Sequence, residues 1–255
     1  MFDAHVHLCD SRFANDLPRL IRRTKSAGVD CFFCAATRPA DSVAVLDLAK
    51  RDAAAVPFIG THPWYSGEYD AKSFYALLKS EPRANIGEIG LDNRRSGTNQ
   101  TAVFADQIKA AALFRRPCAV HCVKAFDDIA RALKSLPQPP ALLFHGFSGT
   151  REQAAFLMKR NAYFSFSGSI LFENRTKARA VFNALPLNRI LAETDAPDAR
   201  PPDVFCADKN EKRNVPENLP LIIREFAAIR KTDFSTFCAI LDNNARAFLA
   251  GAKND

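Results

Sequence analysis

Two histidines, two residues apart, open the chain in Phe2-Asp3-Ala4-His5-Val6-His7-Leu8. In a strand, residues i and i+2 share a face, so both imidazoles aim at one place. Such a pair suits a divalent metal such as zinc or manganese. It equally describes a chance pair on a half-buried strand, so its meaning depends on the other histidines and carboxylates. All five histidines fall on or just after an apolar, strand-like run: His5, His7, His62, His121 and His145. Glu88 lies inside Gly87-Glu88-Ile89-Gly90-Leu91-Asp92, and Glu193-Thr194-Asp195 ends another such run. A lone strand-end histidine is commonly a hydrogen-bonded structural residue. A buried Glu88 without cationic neighbours would be costly, however. Four histidines (His5, His7, His121, His145) with Glu88 and Asp195 are too many for one four-coordinate site that keeps an open position. They suit two ions sharing a carboxylate. One would take His5, His7, Glu88 and Asp195, and the other Glu88, His121 and His145, with Glu88 as the bridge. Paired divalent ions of this kind, Mg, Mn or Zn, serve hydrolysis at phosphorus.

The elements that must position these groups alternate along the chain. Strands are expected over residues 2–8, 31–36, 56–61, 84–91, 118–122, 141–145, 162–167 and 189–194. Helices are expected over 13–27, 41–54, 70–80, 98–114, 126–135, 150–159, 174–184, 217–231 and 234–250. Asp41 is a plausible N-cap, and Thr150-Arg-Glu-Gln153 has capping-box spacing. A polar, Pro-rich loop covers 196–216. Eight strands alternating with eight helices predict an α/β fold, a (β/α)8 TIM barrel with an extra C-terminal helix, as a single domain over residues 1–255. The near-continuous apolar strands fit a parallel sheet covered on both faces. The competing open doubly wound sheet lacks its Gly-x-Gly-x-x-Gly turn after the first strand. In a barrel, the strand ends that carry the polar groups form one mouth.

With 47% hydrophobic residues the chain can bury a substantial core. No run of about 18 apolar residues suggests a membrane span. No secretory signal precedes the first strand, so a cytoplasmic location is expected. Seven cysteines, an odd number, then read as reduced, mostly buried thiols. Cys31-Phe-Phe-Cys34 has redox spacing but lies in an apolar run, which points to core packing. The formal charge of +7 weakly favours a polyanionic partner. Basic residues follow many strands: Arg38, Arg94, Arg95, Lys124, Arg151, Arg175, Lys177, Lys209, Lys212 and Arg213. They read as a phosphate-binding rim or as ordinary solvated charge. Trp64 and Tyr65 could stack on a base, worth about 1–3 kcal/mol, or pack under a loop.

The pieces His5-Val6-His7, Thr61-His62-Pro63, Gly87-Glu88-Ile89-Gly90-Leu91-Asp92, Val120-His121-Cys122, His145-Gly146-Phe147-Ser148-Gly149 and Glu193-Thr194-Asp195-Ala196-Pro197 run in the order of the TatD family of metal-dependent deoxyribonucleases, which the chain resembles throughout. Asn244 also fits. The resemblance implies an amidohydrolase-like barrel with one or two divalent cations that hydrolyses phosphodiester bonds in DNA, often from the 3′ end. It carries metal-ligand roles to His5, His7, Glu88, His121, His145 and Asp195, and substrate contact or support of the site to His62. Two positions depart. The family often has Arg two residues after the fifth-strand His, where this chain has Val123 followed by Lys124. After Asp195-Ala-Pro the family commonly has an aromatic residue, where this chain has Asp198.

The expected activity is a deoxyribonuclease of 3′-5′ exonuclease type, acting on single-stranded DNA or 3′ ends as a monomer. Asp195 and Glu88 are the expected catalytic pair, with Asp195 orienting a metal-activated water and accepting its proton. His62, Lys124, Glu193 and Arg94 are the expected substrate contacts, and Glu193 also reads as a structural hydrogen-bonding group. One rival is a small-molecule hydrolase of the same barrel type, acting on an ester, lactone, amide or phosphotriester. The other is a non-catalytic nucleic-acid-binding factor, which predicts missing ligands.

Overall fold

The eight expected strands are all present in the structure, a computed structural model that describes residues 1–95 and 99–251. They are β1 (Phe2–Val6), β2 (Cys31–Ala35), β3 (Ala55–Ile59), β4 (Asn85–Asp92), β5 (Cys118–Val123), β6 (Leu142–Phe144), β7 (Ala162–Phe166) and β8 (Ile190–Ala192). They pair in parallel in chain order, β1 to β8. The last seam closes just beyond β8. Thr194 N–H donates to the Asp3 carboxylate at 2.9 Å, Asp195 N–H to His5 O at 2.9 Å, and His7 N–H to Ala196 O at 2.8 Å. The sheet is thus a barrel. The helices are α1 (Leu17–Ser26), α2 (Pro39–Arg51), α3 (Ala71–Ser80), α4 (Gln100–Leu113), α5 (Phe126–Lys134), α6 (Arg151–Met158), α7 (Thr176–Ala184), α8 (Leu219–Ile229) and α9 (Phe234–Ala250). No helix among the described residues is long and apolar enough to cross a membrane.

Proline moves several helix starts from where hydrophobic periodicity places them. Pro18 has no N–H and fits only a first turn, so α1 begins at Leu17 and Ser11–Phe13 forms a separate 3-10 turn. Pro39 likewise opens α2, which corrects Asp41 from N-cap to the third helical position. There the Asp41 carboxylate still accepts from Arg38 N–H at 3.1 Å and Thr37 Oγ1 at 2.6 Å. α8 starts at Leu219, not at Glu217, with Pro220 in its first turn. Thr98, the expected start of the fourth helix, lies outside the described residues. The Thr150–Gln153 capping box is formed as expected.

The largest fully buried side chains are all phenylalanines, twelve of them, each worth about 1.5–3 kcal/mol of burial. Phe33, Phe58, Ala119, Leu143, Tyr163 and Leu191 form an apolar cluster with Ala245 and Phe248 of α9. α9 therefore plugs the lower end of the barrel, and Asn244 ties it to the start of β8 through Nδ2 bonds of 2.7 Å to the Leu187 and Ile190 carbonyls. Two residues further up the same strands the inward positions turn polar: His121 after Ala119, His145 after Leu143, Glu193 and Asp195 after Leu191. A period of two thus stacks a polar layer on an apolar one. Gly90 makes the approach of β4 to β5 possible. It has φ of +149°, and a Cβ there would lie 1.9 Å from the His121 carbonyl oxygen. Cys31 and Cys34 are free thiols on β2, and Cys34 is buried in the core, as their apolar setting predicts.

Candidate metal centre

Glu88, on β4, stands at the centre of the mouth, and its two carboxylate oxygens face different histidines. Oε1 lies 2.7 Å from His121 Nδ1, 2.7 Å from His145 Nε2 and 3.4 Å from His62 Nε2. Oε2 lies 3.4 Å from His5 Nε2 and 3.5 Å from His7 Nε2. Asp195 Oδ1 joins the second group, 3.6 Å from His7 Nε2 and 4.0 Å from His5 Nε2. Three donor sets follow, each with ligand atoms within 4.8 Å of one another: His5/Glu88/His145, His5/His7/Asp195 and His62/Glu88/His121. All six residues expected as ligands are brought together, and His62 stands among them. The mouth itself is a cavity of about 390 Å³ lined by His7, Trp64, Glu88, His121, His145 and Asp195, with Arg12, Arg94 and Asp198 at its rim.

Neighbouring hydrogen bonds set which ring nitrogen can ligate. His7 Nδ1 is 3.0 Å from the Ala35 carbonyl, so Nδ1 keeps its proton and Nε2 is the nitrogen that can ligate once it gives up its own. His121 directs Nδ1 to Glu88 and Nε2 toward Asp92, 3.4 Å away. His62 differs. Trp64 N–H donates to its Nδ1 at 3.1 Å, so in the neutral ring the proton sits on Nε2, and His62 offers Glu88 a donor in place of a lone pair. Buried His5 Nε2 lacks a well-formed hydrogen bond. A lone pair stranded among carboxylates and imidazoles fits a cation in this position, and the mixed N/O donor set suits zinc, manganese or magnesium.

Charge in the site is strongly coupled. Burial pushes the Glu88 carboxyl up, but His145, His62 and His121 outweigh it and hold the pKa well below the usual range. Burial also opposes charge on His7, yet Asp195 and Glu88 hold it up at about 9. His145 is held at about 10 in the same way, by Glu88. His5 falls to about 4 through burial and the nearby His145, and His62 to about 3 chiefly through burial. Without metal, the carboxylate charge is thus balanced by protons on His7 and His145. Asp195 occupies the left-handed region with φ of 57°, a conformation that Asp tolerates better than most residues.

The other expected contacts fall in varied settings. Glu193 is wholly buried, accepting from Gly146 N–H at 2.7 Å and from the Ser165 hydroxyl. It therefore braces the turn after His145, and burial pushes its pKa up to about 8. Arg94 grips Asp92, with Nη2 2.7 Å from Oδ2, while lining the mouth. Lys124 is exposed beside a separate cavity of about 430 Å³ that reaches His145. Arg213 is paired with Asp16 and Glu211 at 3.0 and 2.7 Å, and Arg38 with Glu68. The rim is therefore less free than its composition suggests. Asp198 is held by Arg12, with both Oδ atoms at 2.8 Å. Two buried carboxylates had no expected role. Asp92 backs His121, Arg94 and the Trp64 indole N–H, the last at 2.9 Å. Asp3 holds Thr194 by N–H and hydroxyl, at 2.9 and 2.5 Å. Their signal was the period of two: Asp92 follows Glu88 by four residues, and Asp3 precedes His5 by two.

A closed parallel barrel with histidines and carboxylates converging at its C-terminal mouth defines the class of metal-dependent barrel hydrolases. Residues 2–250 match the family described as TatD related DNase. A Shigella flexneri protein named 3′-5′ ssDNA/RNA exonuclease TatD is 31% identical over 254 residues, covering 96% of this chain and 97% of that protein. The solved TatD homologue from Escherichia coli is 26% identical with a TM-score of 0.88, over 98% of this chain and 97% of that one. A TatD family hydrolase from Entamoeba histolytica shares the fold, with a TM-score of 0.85, 19% identity, and coverage of 98% and 97%. The chain belongs to the TatD family of metal-dependent hydrolases, and is an enzyme acting on phosphodiester bonds.

Proposed function

We propose that this protein is a 3′-5′ exonuclease acting on single-stranded nucleic acid, with DNA as its principal substrate. The observation that carries the reading is the division of Glu88 between two histidine groups, Oε1 toward His121 and His145 and Oε2 toward His5 and His7. One or two divalent ions (Mg, Mn or Zn) would be held by His5, His7, Glu88, His121, His145 and Asp195. When bound, such ions lower the pKa of water and neutralise charge growing on phosphoryl oxygens.

The residues of the chain do the rest. Asp195 holds the attacking water and takes its proton on a carboxylate oxygen. Ionised because the His7 hydrogen bond and the charge of His145 outweigh the effect of burial, it is ready as a base. The water oxygen bonds to phosphorus, the P–O3′ bond breaks, and a proton passes to the leaving 3′ oxygen. The product is a 5′-mononucleotide. With its Nδ1 occupied by Trp64 N–H, the His62 Nε2–H that faces Glu88 at 3.4 Å turns to donate to a phosphoryl oxygen when substrate binds. Asp92 orients His121, and Glu193 braces the turn carrying His145. Lys124 contributes positive charge at the rim, and Arg94, its charge balanced by Asp92, offers substrate only its remaining guanidinium N–H groups. The seven free thiols suit a reducing cytoplasm, and the protein is taken to act as a monomer.

The test is cleavage of 5′-labelled single-stranded DNA and RNA with Mg²⁺, Mn²⁺ or Zn²⁺, beside a panel of lactones, esters and phosphotriesters. Stepwise shortening from the 3′ end is expected. Turnover of the ester panel with intact oligonucleotides would replace this reading by the small-molecule hydrolase.

A further inference from the structure

Two cavities meet at the metal ligands, and they differ in charge. His121, His145 and Asp195 line both. On one side lies the lobe of about 390 Å³ that holds Trp64 and Tyr65. Its rim cations are neutralised: Arg12 is clamped between Asp10 and Asp198 at 2.8–2.9 Å, and Arg94 is bound to Asp92 at 2.7 Å. Two guanidinium groups thus face three carboxylates. On the other side, between the ends of β6 and β7 and the start of α7, lies a lobe of about 240 Å³ with Arg175, Ser167 and Ser169 over an apolar floor of Phe166 and Ile170. The side chain of Arg175 has no hydrogen-bond or ion-pair partner among the described residues, and it is exposed.

We propose that Arg175 grips the phosphate one step 5′ of the scissile bond, so that the retained strand lies in the Arg175 lobe and the 3′-terminal nucleoside in the Trp64 lobe. The inference rests on the exonuclease reading. A terminal nucleoside carries no phosphate beyond the scissile one, so its lobe needs an aromatic surface and no spare cation. Trp64 supplies the surface, 37% exposed; the Arg95 guanidinium is engaged with its ring, 4.1 Å from the centroid, and does not line the lobe. A retained strand of two or more nucleotides brings a second phosphate, and Arg175 is the unpaired cation that lines this lobe to meet it. An Arg–phosphate contact can be bidentate, and Ser167 and Ser169 stand beside it as further donors. Asp10 and Asp198 then acquire a purpose: a 3′-phosphate would sit against them, so the Trp64 lobe selects a free 3′-hydroxyl end.

The test compares three thymidine oligonucleotides: d(TpT), with one phosphate; d(TpTpT), with two; and d(TpTpT) carrying a 3′-phosphate. Binding is measured by calorimetry on metal-stripped protein, and cleavage on the metal-loaded enzyme. Wild type is expected to favour d(TpTpT) over d(TpT) by about tenfold or more, the worth of one charge-assisted contact. Arg175→Gln should collapse that ratio toward one, Arg175→Lys should retain part of it, and the 3′-phosphate should weaken binding, with Asp198→Asn relieving the penalty. An unchanged ratio in Arg175→Gln, an equal loss on both substrates, or a preference for the 3′-phosphate overturns the strand direction while leaving the exonuclease reading intact. If wild type neither binds nor cleaves any of the three, the exonuclease reading falls and the strand direction with it.

Discussion

Replacing Asp195 by Asn removes a proton acceptor while leaving its surroundings almost unchanged. Asn tolerates the left-handed backbone that Asp195 adopts, with φ of 57°. The Asp195 N–H bond to His5 O, 2.9 Å, does not involve the side chain. The fold and the β8–β1 seam should therefore persist. The amide cannot take a proton from water at neutral pH, and a lost general base lowers rates by about 10²–10⁴. At 1.36 kcal/mol per tenfold this is about 3–5 kcal/mol of barrier. The amide is also a weaker ligand near His7 and His5, 3.6 and 4.0 Å away. Single-turnover cleavage of 3′-labelled single-stranded DNA, with metal content measured alongside, separates the two effects. A ligand defect recovers in excess cation and a base defect does not. Full activity of Asp195→Asn at ordinary metal concentration would remove Asp195 from the mechanism. Glu193, the next carboxylate, has both oxygens engaged by Gly146 and Ser165, so such a result would demand a base from outside the ligand cluster.

Metal uptake should release protons: metal-free His7 and His145 hold theirs up to about 9 and about 10, and ligands must be deprotonated to bind. Apparent affinity should therefore rise with pH through neutrality and level off only above those values; calorimetry at pH 7.5 in buffers of different ionisation enthalpy checks it, and no net proton release refutes it. Gly90→Ala should cost about 3 kcal/mol or more, because its Cβ would meet the His121 carbonyl at 1.9 Å; an unchanged melting temperature would contradict the close β4–β5 approach. Affinity for single strands should fall with salt by about 0.7 log units per log unit for each phosphate contacted. Arg175→Gln should flatten that slope more than Arg213→Gln, since Arg213 is already paired with Asp16 and Glu211; equal slopes in the two variants would show that pairing on the rim does not matter.

The barrel and the convergence of its histidines and carboxylates were legible in the sequence because both arise from short-range periodicity. Alternating strands and helices name the fold, and a period of two puts His5 with His7, Glu88 with Asp92, and Glu193 with Asp195 on common faces. Once eight parallel strands close, their C-terminal ends can only converge, so the histidines meet whatever the details of packing. Helix starts were less legible where Pro18, Pro39 and Pro220 overrode hydrophobic spacing. What tertiary structure decided was the state of each polar group. The ring nitrogens of His7 and His62 take their roles from Ala35 and Trp64, and His121 is turned by Asp92. Whether a rim cation is free depends on partners far along the chain: Asp198 lies 186 residues from Arg12, and Asp16 lies 197 from Arg213. Charge in a sequence is a count, but whether it can meet a phosphate depends on which opposite charge the fold has already placed within 3 Å or so. Arg175 and Arg213 are the same residue type at the same end of the barrel, and only the fold makes one available and the other committed.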